Sequence, residues 1–238
     1  MMRVLVPIAI LKGETVPPGL VGLLRTVAVT ILGYHVVPEQ TPPDQARLQF
    51  EERANEALDD LCDEFEEEGG QADHRLVFTH DKEQTIDRVA AEIDASVRVL
   101  PGVTGDVDQL LVTLSGDVAV DRILTFVMEL VDGRDIEVTV FLASADEAAG
   151  RRRLDEAADR LGHAGIDVRT EFAKSRFPFR ALLDMIAGHD AIVMGEMAPS
   201  LQSLILGDHA ETLAREAVAP VLVVRALERS NEQHTPRE

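Results

Sequence analysis

Two doubly wound parallel α/β domains in tandem are the fold that the sequence predicts, on three observations. Short β-branched and aliphatic runs alternate with amphipathic helical stretches, the pattern of parallel strands joined by right-handed crossovers with helices on both faces. The same order of elements occurs twice, the second time more completely. The length of 238 residues exceeds an ordinary domain of ~100–150 residues and suits two small ones.

In the first half, residues 3–8 and 27–33 read as strands. Thr41-Pro42-Pro43-Asp44 opens a long helix with Phe50, Ala54, Leu58, Leu61 and Phe65 on one side, and Gly69-Gly70 stops it. Residues 75–78 are a strand, 84–93 a helix and 97–100 a fourth strand. Pro101-Gly102 then leads through Thr104-Gly105-Asp106 directly into the second half, with no loop, last helix or fifth strand. Residues 1–104 are therefore a truncated copy of residues 105–228, and 229–238 form a polar tail expected to be disordered.

The second half repeats the plan in full. Residues 109–114 are a strand, and 118–131 carry Ile123, Phe126, Val127 and Leu130 at helical spacing, with Asp117 as cap and Asp132-Gly133 as stop. A strand at 136–143 precedes a charged helix at 145–164, whose Leu154, Ala158 and Leu161 mark the buried stripe before Gly165. Residues 168–172 are a third strand, 178–186 a short helix and 191–194 a fourth strand. Beyond a loop, 208–217 is the last helix and 220–224 the last strand.

Acidic residues number 43 against 23 basic, for a formal charge of -20, and Lys12, Lys82 and Lys174 are the only lysines. A surface this negative repels nucleic acid and anionic lipid, so neither is an expected partner. Self-repulsion of that size is tolerated best where salt screens it, which points to a halophilic source such as a haloarchaeon. The apolar runs are short of the ~20 residues that span a bilayer, and the single cysteine, Cys62, allows no internal disulfide. A cytoplasmic protein is expected.

In an open parallel sheet, ligands bind where strand carboxyl ends meet loops and helix N-termini. After Ala191-Ile192-Val193-Met194-Gly195 come Glu196-Met197-Ala198-Pro199-Ser200, then Leu204-Ile205-Leu206-Gly207-Asp208-His209, and later Ala219-Pro220-Val221-Leu222-Val223-Val224. This stretch resembles the universal stress protein family, in which a V-M-G strand is followed by Gly-x2-Gly-x9-Gly-Ser/Thr and a closing P-V-L-V-V strand. The resemblance covers the second half well and the first half by order of elements. It implies a Rossmann-like fold of the adenine nucleotide alpha hydrolase kind, a stress-associated binding role, and a dimer made through the closing strand. In members that bind ATP, the glycines and the Ser/Thr surround the phosphates, and an aspartate ending the first strand lies near the ribose.

The departures fall on that chemistry. Ala198 stands for the second glycine, adding a Cβ where backbone must approach closely. The span to Gly207 is one residue shorter, and Asp208 stands where Ser or Thr would donate to phosphate. A carboxylate at a helix N-terminus caps it but repels an anion, by ~1 kcal/mol in water and by more in a partly dry site. The first strands end Leu114-Ser115-Gly116 and Ile8-Ala9-Ile10, so neither offers the aspartate. The degenerate candidate site is thus Ser115, Gly195, Ala198, Gly207, Asp208 and His209, with no cofactor expected and ATP in a modified pose as the alternative.

Other candidates read as structural. His80-Asp81 and His189-Asp190 lie at element ends, and no histidine spacing supplies a metal-ligand count, so no metal is expected. Ser115 and Ser200 lack a Gly-x-Ser-x-Gly elbow. Cys62, among Asp59, Asp60, Asp63 and Glu64, should be an unreactive thiol. Arg151-Arg152-Arg153 should pair with Asp146, Glu147 and Asp155 on a solvated helix, and Arg176, Phe177 and Phe179 should cover the core edge. The leading expectation is a non-enzymatic regulatory binding protein acting on protein partners. A nucleotide sensor or slow ATPase, and the regulatory part of a transporter, are the alternatives. Because the first half lacks its fifth strand, the outer edge of strand Val221–Val224 is expected to be unmatched within the chain and to form a homodimer.

Overall fold

The computed structural model describes residues 2–114, 120–176, 178–196 and 219–226. Its first half runs β1 (Arg3–Ile8), α1 (Pro18–Leu24), β2 (Ala28–Val36), α2 (Pro43–Glu67), β3 (Gln71–Thr79), α3 (Lys82–Glu92) and β4 (Val97–Leu100). Its second half runs β5 (Gln109–Thr113), α4 (Val120–Val131), β6 (Glu137–Ser144), α5 (Glu147–His163), β7 (Val168–Lys174), α6 (Pro178–Ile186), β8 (Ala191–Gly195) and β9 (Val221–Val224). The expected helix at 208–217 and the cap Asp117 lie outside the described residues.

The strands form one sheet in the order β3-β2-β1-β4-β9-β8-β5-β6-β7. Every neighbouring pair is parallel except β4 with β9, which are antiparallel with Val97 opposite Val224 and Leu100 opposite Val221. Each half is therefore the predicted doubly wound parallel sheet, and the two are joined edge to edge. The expectation of an open edge on Val221–Val224 is corrected here. With β4 on one side and β8 on the other, that strand has no free ladder to offer a second copy, because β4 takes the place of the fifth strand the first half lacks.

Alternation of side chains along each strand sends two apolar sets to opposite faces. On one face the strands bury Val6, Ile31, Val112 and Val140 against Leu58 and Phe65 of α2, Phe126 of α4 and Leu161 of α5. This cluster runs through both halves. On the other face α3 packs Ile86 and Val89 on Leu5 and Leu32, and α6 packs Leu182 and Ile186 on Phe141 and Ile192. In α5 the buried stripe is Gly150, Leu154, Ala157 and Leu161, so Ala157 rather than Ala158 faces the sheet. The expected roles of Phe177 and Phe179 lie outside the described side chains, and Arg176 is exposed.

One element has no counterpart in the sequence reading. α1 is seven residues long, begins with Pro18 at its first helical position, and buries Leu20, Val21, Leu23 and Leu24. A Cβ on its Gly19 would lie 1.5 Å from the Gly105 carbonyl oxygen, so the helix rests directly on the connection between the halves. Its C-terminus meets that of α4. Arg134 donates to the carbonyls of Gly22 (2.7 Å) and Leu23 (2.8 Å) of α1, and to those of Leu130 and Val131 (3.2 Å) of α4. Thr26 Oγ1 also donates to Leu130 O at 3.0 Å. The last carbonyls of a helix have no partner within it, and here one guanidinium supplies partners for two helices. Among the described residues no helix is long and apolar enough to cross a membrane.

Candidate functional site

The order of strands places a switch point in each half: between β1 and β4 in the first, and between β5 and β8 in the second. In the second half, β5 and β8 pair in register from Leu110 opposite Ala191 to Thr113 opposite Met194. Gly195 ends β8 opposite Val224. The Glu196 N–H donates to Val224 O at 2.7 Å, while its carboxylate accepts from the Ala226 N–H at 2.9 Å. The ends of β8 and β9 are thereby tied together. Of the expected site residues the structure describes Gly195 alone; Ser115, Ala198, Gly207, Asp208 and His209 lie outside the described residues.

Three other carboxyl-end turns, those after β1, β3 and β6, are satisfied by the chain's own acids. Asp146 accepts from the Ala149 N–H at 3.0 Å and caps α5, and Asp81 accepts from the Gln84 N–H at 3.0 Å and caps α3. At the end of β1, the Ala9 N–H donates to Glu14 Oε2 at 2.7 Å, and a tight turn over Ile10–Lys12 closes on Gly13. A left-handed φ of 75° at Gly13 is what glycine accommodates without strain. Nothing in the local sequence marks Glu14 for this role, since its partner is set by the turn.

On the α3 face of the first half, Arg98 of β4 pairs with Glu83 (2.8 Å) and Asp87 (3.5 Å) of α3. Tyr34 of β2 lies beneath Lys82, whose Nζ is 5.5 Å from the ring centre. Burial, then the charges of Glu14 and Glu83, push the Tyr34 hydroxyl up to about 12, against a smaller opposing effect of Arg98. This polar cluster belongs to residues that sequence spacing does not bring together.

The histidine–aspartate pairs serve structure. His80 Nδ1 is 3.2 Å from Val37 O, and His189 Nδ1 is 2.9 Å from Met185 O. Asp190 accepts from the N–H groups of Asp108 (3.0 Å) and Gln109 (2.8 Å), fixing the start of β5. Among the described residues no three His, Cys, Asp or Glu side chains gather as a metal site would require. Cys62 is pushed up to about 11, first by burial and then by Asp59, Asp73, Asp63 and Glu66, so desolvation outweighs the neighbouring acids that the sequence emphasises. In the basic run, Arg151 pairs with Glu147 at 3.2 Å and lies over the Phe172 ring, whereas Asp146 is engaged as the cap. The hydrogen bond from Arg151 is the chief cause that holds the Glu147 carboxyl below its usual range.

These features define a class: an open, doubly wound α/β protein whose strand order reverses once in each half. Among solved structures the fold is that of universal stress proteins. The chain is similar to a universal stress protein from Archaeoglobus fulgidus DSM 4304 with a TM-score of 0.66 and 18% identity, over 94% of this chain and 96% of that one. It is also similar to a putative universal stress protein from Pseudomonas aeruginosa UCBPP-PA14 with a TM-score of 0.52 and 14% identity, over 94% and 93% of the two chains. Both likenesses take in both halves. No protein-family model and no curated protein sequence matches the chain.

Proposed function

We propose that this chain is a stress-response binding protein of the universal stress type, non-enzymatic, acting on protein partners and not taking ATP in the usual way. One observation supports this above the rest. At four strand ends among the described residues, N–H groups that could serve an anion are held by the chain's own carboxylates: Glu14 on Ala9, Asp81 on Gln84, Asp146 on Ala149 and Glu196 on Ala226. The sequence carries a further carboxylate, Asp208, after Gly195, in a segment outside the described residues. A triphosphate would meet acids in place of donors. A halophilic source is proposed from the charge of -20, a cytoplasmic setting from the lone cysteine, and regulation of a transporter as one form the partner role takes. Mass analysis of small molecules released from the native protein should recover no stoichiometric adenine nucleotide. One ATP per chain would overturn the proposal.

A further inference from the structure

We propose that the outer edge of β7 pairs with β7 of a second copy of this chain, antiparallel about a two-fold axis at Thr170, joining two sheets into one. The sheet ends in β3 on one side and β7 on the other, and no described strand pairs with the outer edge of either. Such an edge is a template for another strand. The helices above the two edges tell them apart. α2, which lies over β3, carries ten acidic residues and two arginines, so its copy across a two-fold axis would repel it. α5, which lies over β6 and β7, carries four acids and four arginines. In a chain of charge -20, the β7 edge is the one where a second copy meets a balanced surface.

Backbone hydrogen bonds set the register. The Val138 N–H donates to Asp167 O and the Ser175 N–H to Ser144 O, so the odd-numbered residues of β7 turn their backbone groups toward β6. Val168, Thr170 and Phe172 then turn theirs outward. With Thr170 opposite its own copy, Thr170–Thr170 and Val168–Phe172 become hydrogen-bonded pairs. Arg169 falls opposite Glu171 twice, in the pairs where side chains approach most closely. Centring the axis on Arg169 or on Glu171 would instead oppose like charges. Arg169, Thr170 and Glu171 are all exposed. α5 fits the same axis. Its Arg151 lies over the Phe172 ring, and two strand residues span about one helical turn, so the axis through Thr170 passes α5 near Asp155. Strands ~4.8 Å apart bring two copies of a helix lying over β6 and β7 to ~10 Å, a helix-packing distance. Ala148, Ala158 and Gly162 share the flank of Arg151 and admit that approach, with Arg151 of one copy facing Asp155 and Asp159 of the other.

Sedimentation equilibrium of the full chain tests this on the wild type, Thr170→Pro, Glu171→Arg, and the exchange of Arg169→Glu together with Glu171→Arg. The wild type should be a dimer at micromolar concentration. Thr170→Pro removes an N–H that faces outward from the single chain, a position where an edge strand accepts proline. Glu171→Arg sets arginine against arginine in both pairs. Each should weaken the dimer about tenfold or more. The exchange remakes both opposite-charge pairs between copies and should restore the dimer, although it removes the Arg169–Glu137 pair within the chain. Circular dichroism of each variant confirms the fold, and Glu171→Arg with the exchange keeps the test decisive if Thr170→Pro does not fold. A monomeric wild type, or a dimer that Thr170→Pro and Glu171→Arg leave intact, would overturn the proposal. Species that grow beyond a dimer with concentration, as pairing of β7 with β3 would produce, would overturn it as well.

Discussion

At the scale of single residues, Arg134 carries the most structural consequence. Burial, the largest cause, and the Arg25 charge lower its affinity for the proton relative to a free arginine, with Asp132 opposing. It still supplies donors to carbonyls of two helices that have none of their own. Arg134→Gln should cost about 2–3 kcal/mol in a urea melt, since the loss of charge-assisted bonds leaves partly buried acceptors unpaired. Two titrations set the alkaline limit. Cys62 is raised from 9.0 to about 11 and Tyr34 from 10.0 to about 12. Between each unfolded and folded value, the unfolded state has released a proton that the folded state retains, so stability falls as pH rises. Loss should begin near pH 9, and Tyr34→Phe should flatten the part above pH 10 at up to ~1.4 kcal/mol per pH unit. A melt series from pH 7 to 11 that shows no decline above pH 9 would contradict both assignments.

At the scale of elements, the strands and long helices were legible in the sequence because periodicity and punctuation agree. β4 and α6 have the bounds expected of them, and α2 buries Ala54, Leu58, Leu61 and Phe65 as its spacing requires. α1 was not legible. Its seven residues include Gly19 and Gly22, which weaken a helical signal, and what holds it is remote: the Gly105 backbone and Arg134. Gly19→Ala should therefore destabilise the whole protein by about 3 kcal/mol or more, because backbone must move to admit the Cβ. The partner of β9 was likewise hidden. The missing fifth strand of the first half could be read directly, but not that β4 would take over its pairing. Of the candidate site, the capping role of Asp81 and the structural role of Asp190 were readable from position. Glu14 and Tyr34 were not, since each acquires its setting from turns and crossovers.

For the whole molecule, the charge of -20 predicts a Tm that rises between low and molar salt as self-repulsion is screened. A flat or falling Tm would remove the halophilic reading. Because β4 and β8 occupy both edges of β9, a dimer detected by light scattering at micromolar concentration should withstand substitutions in Val221–Val224 that leave the fold intact, since it would have to use another surface. The position of β9 also bears on how the protein is made. It is the last strand of the sheet in chain order, yet it lies between two strands synthesised well before it. Until residues 221–224 arrive, β4 and β8 each present an unpaired edge, and the growing chain holds two incomplete sheets. Completion of the sheet is a late event, and a translation product halted before residue 221 would expose two aliphatic edges to misassociation.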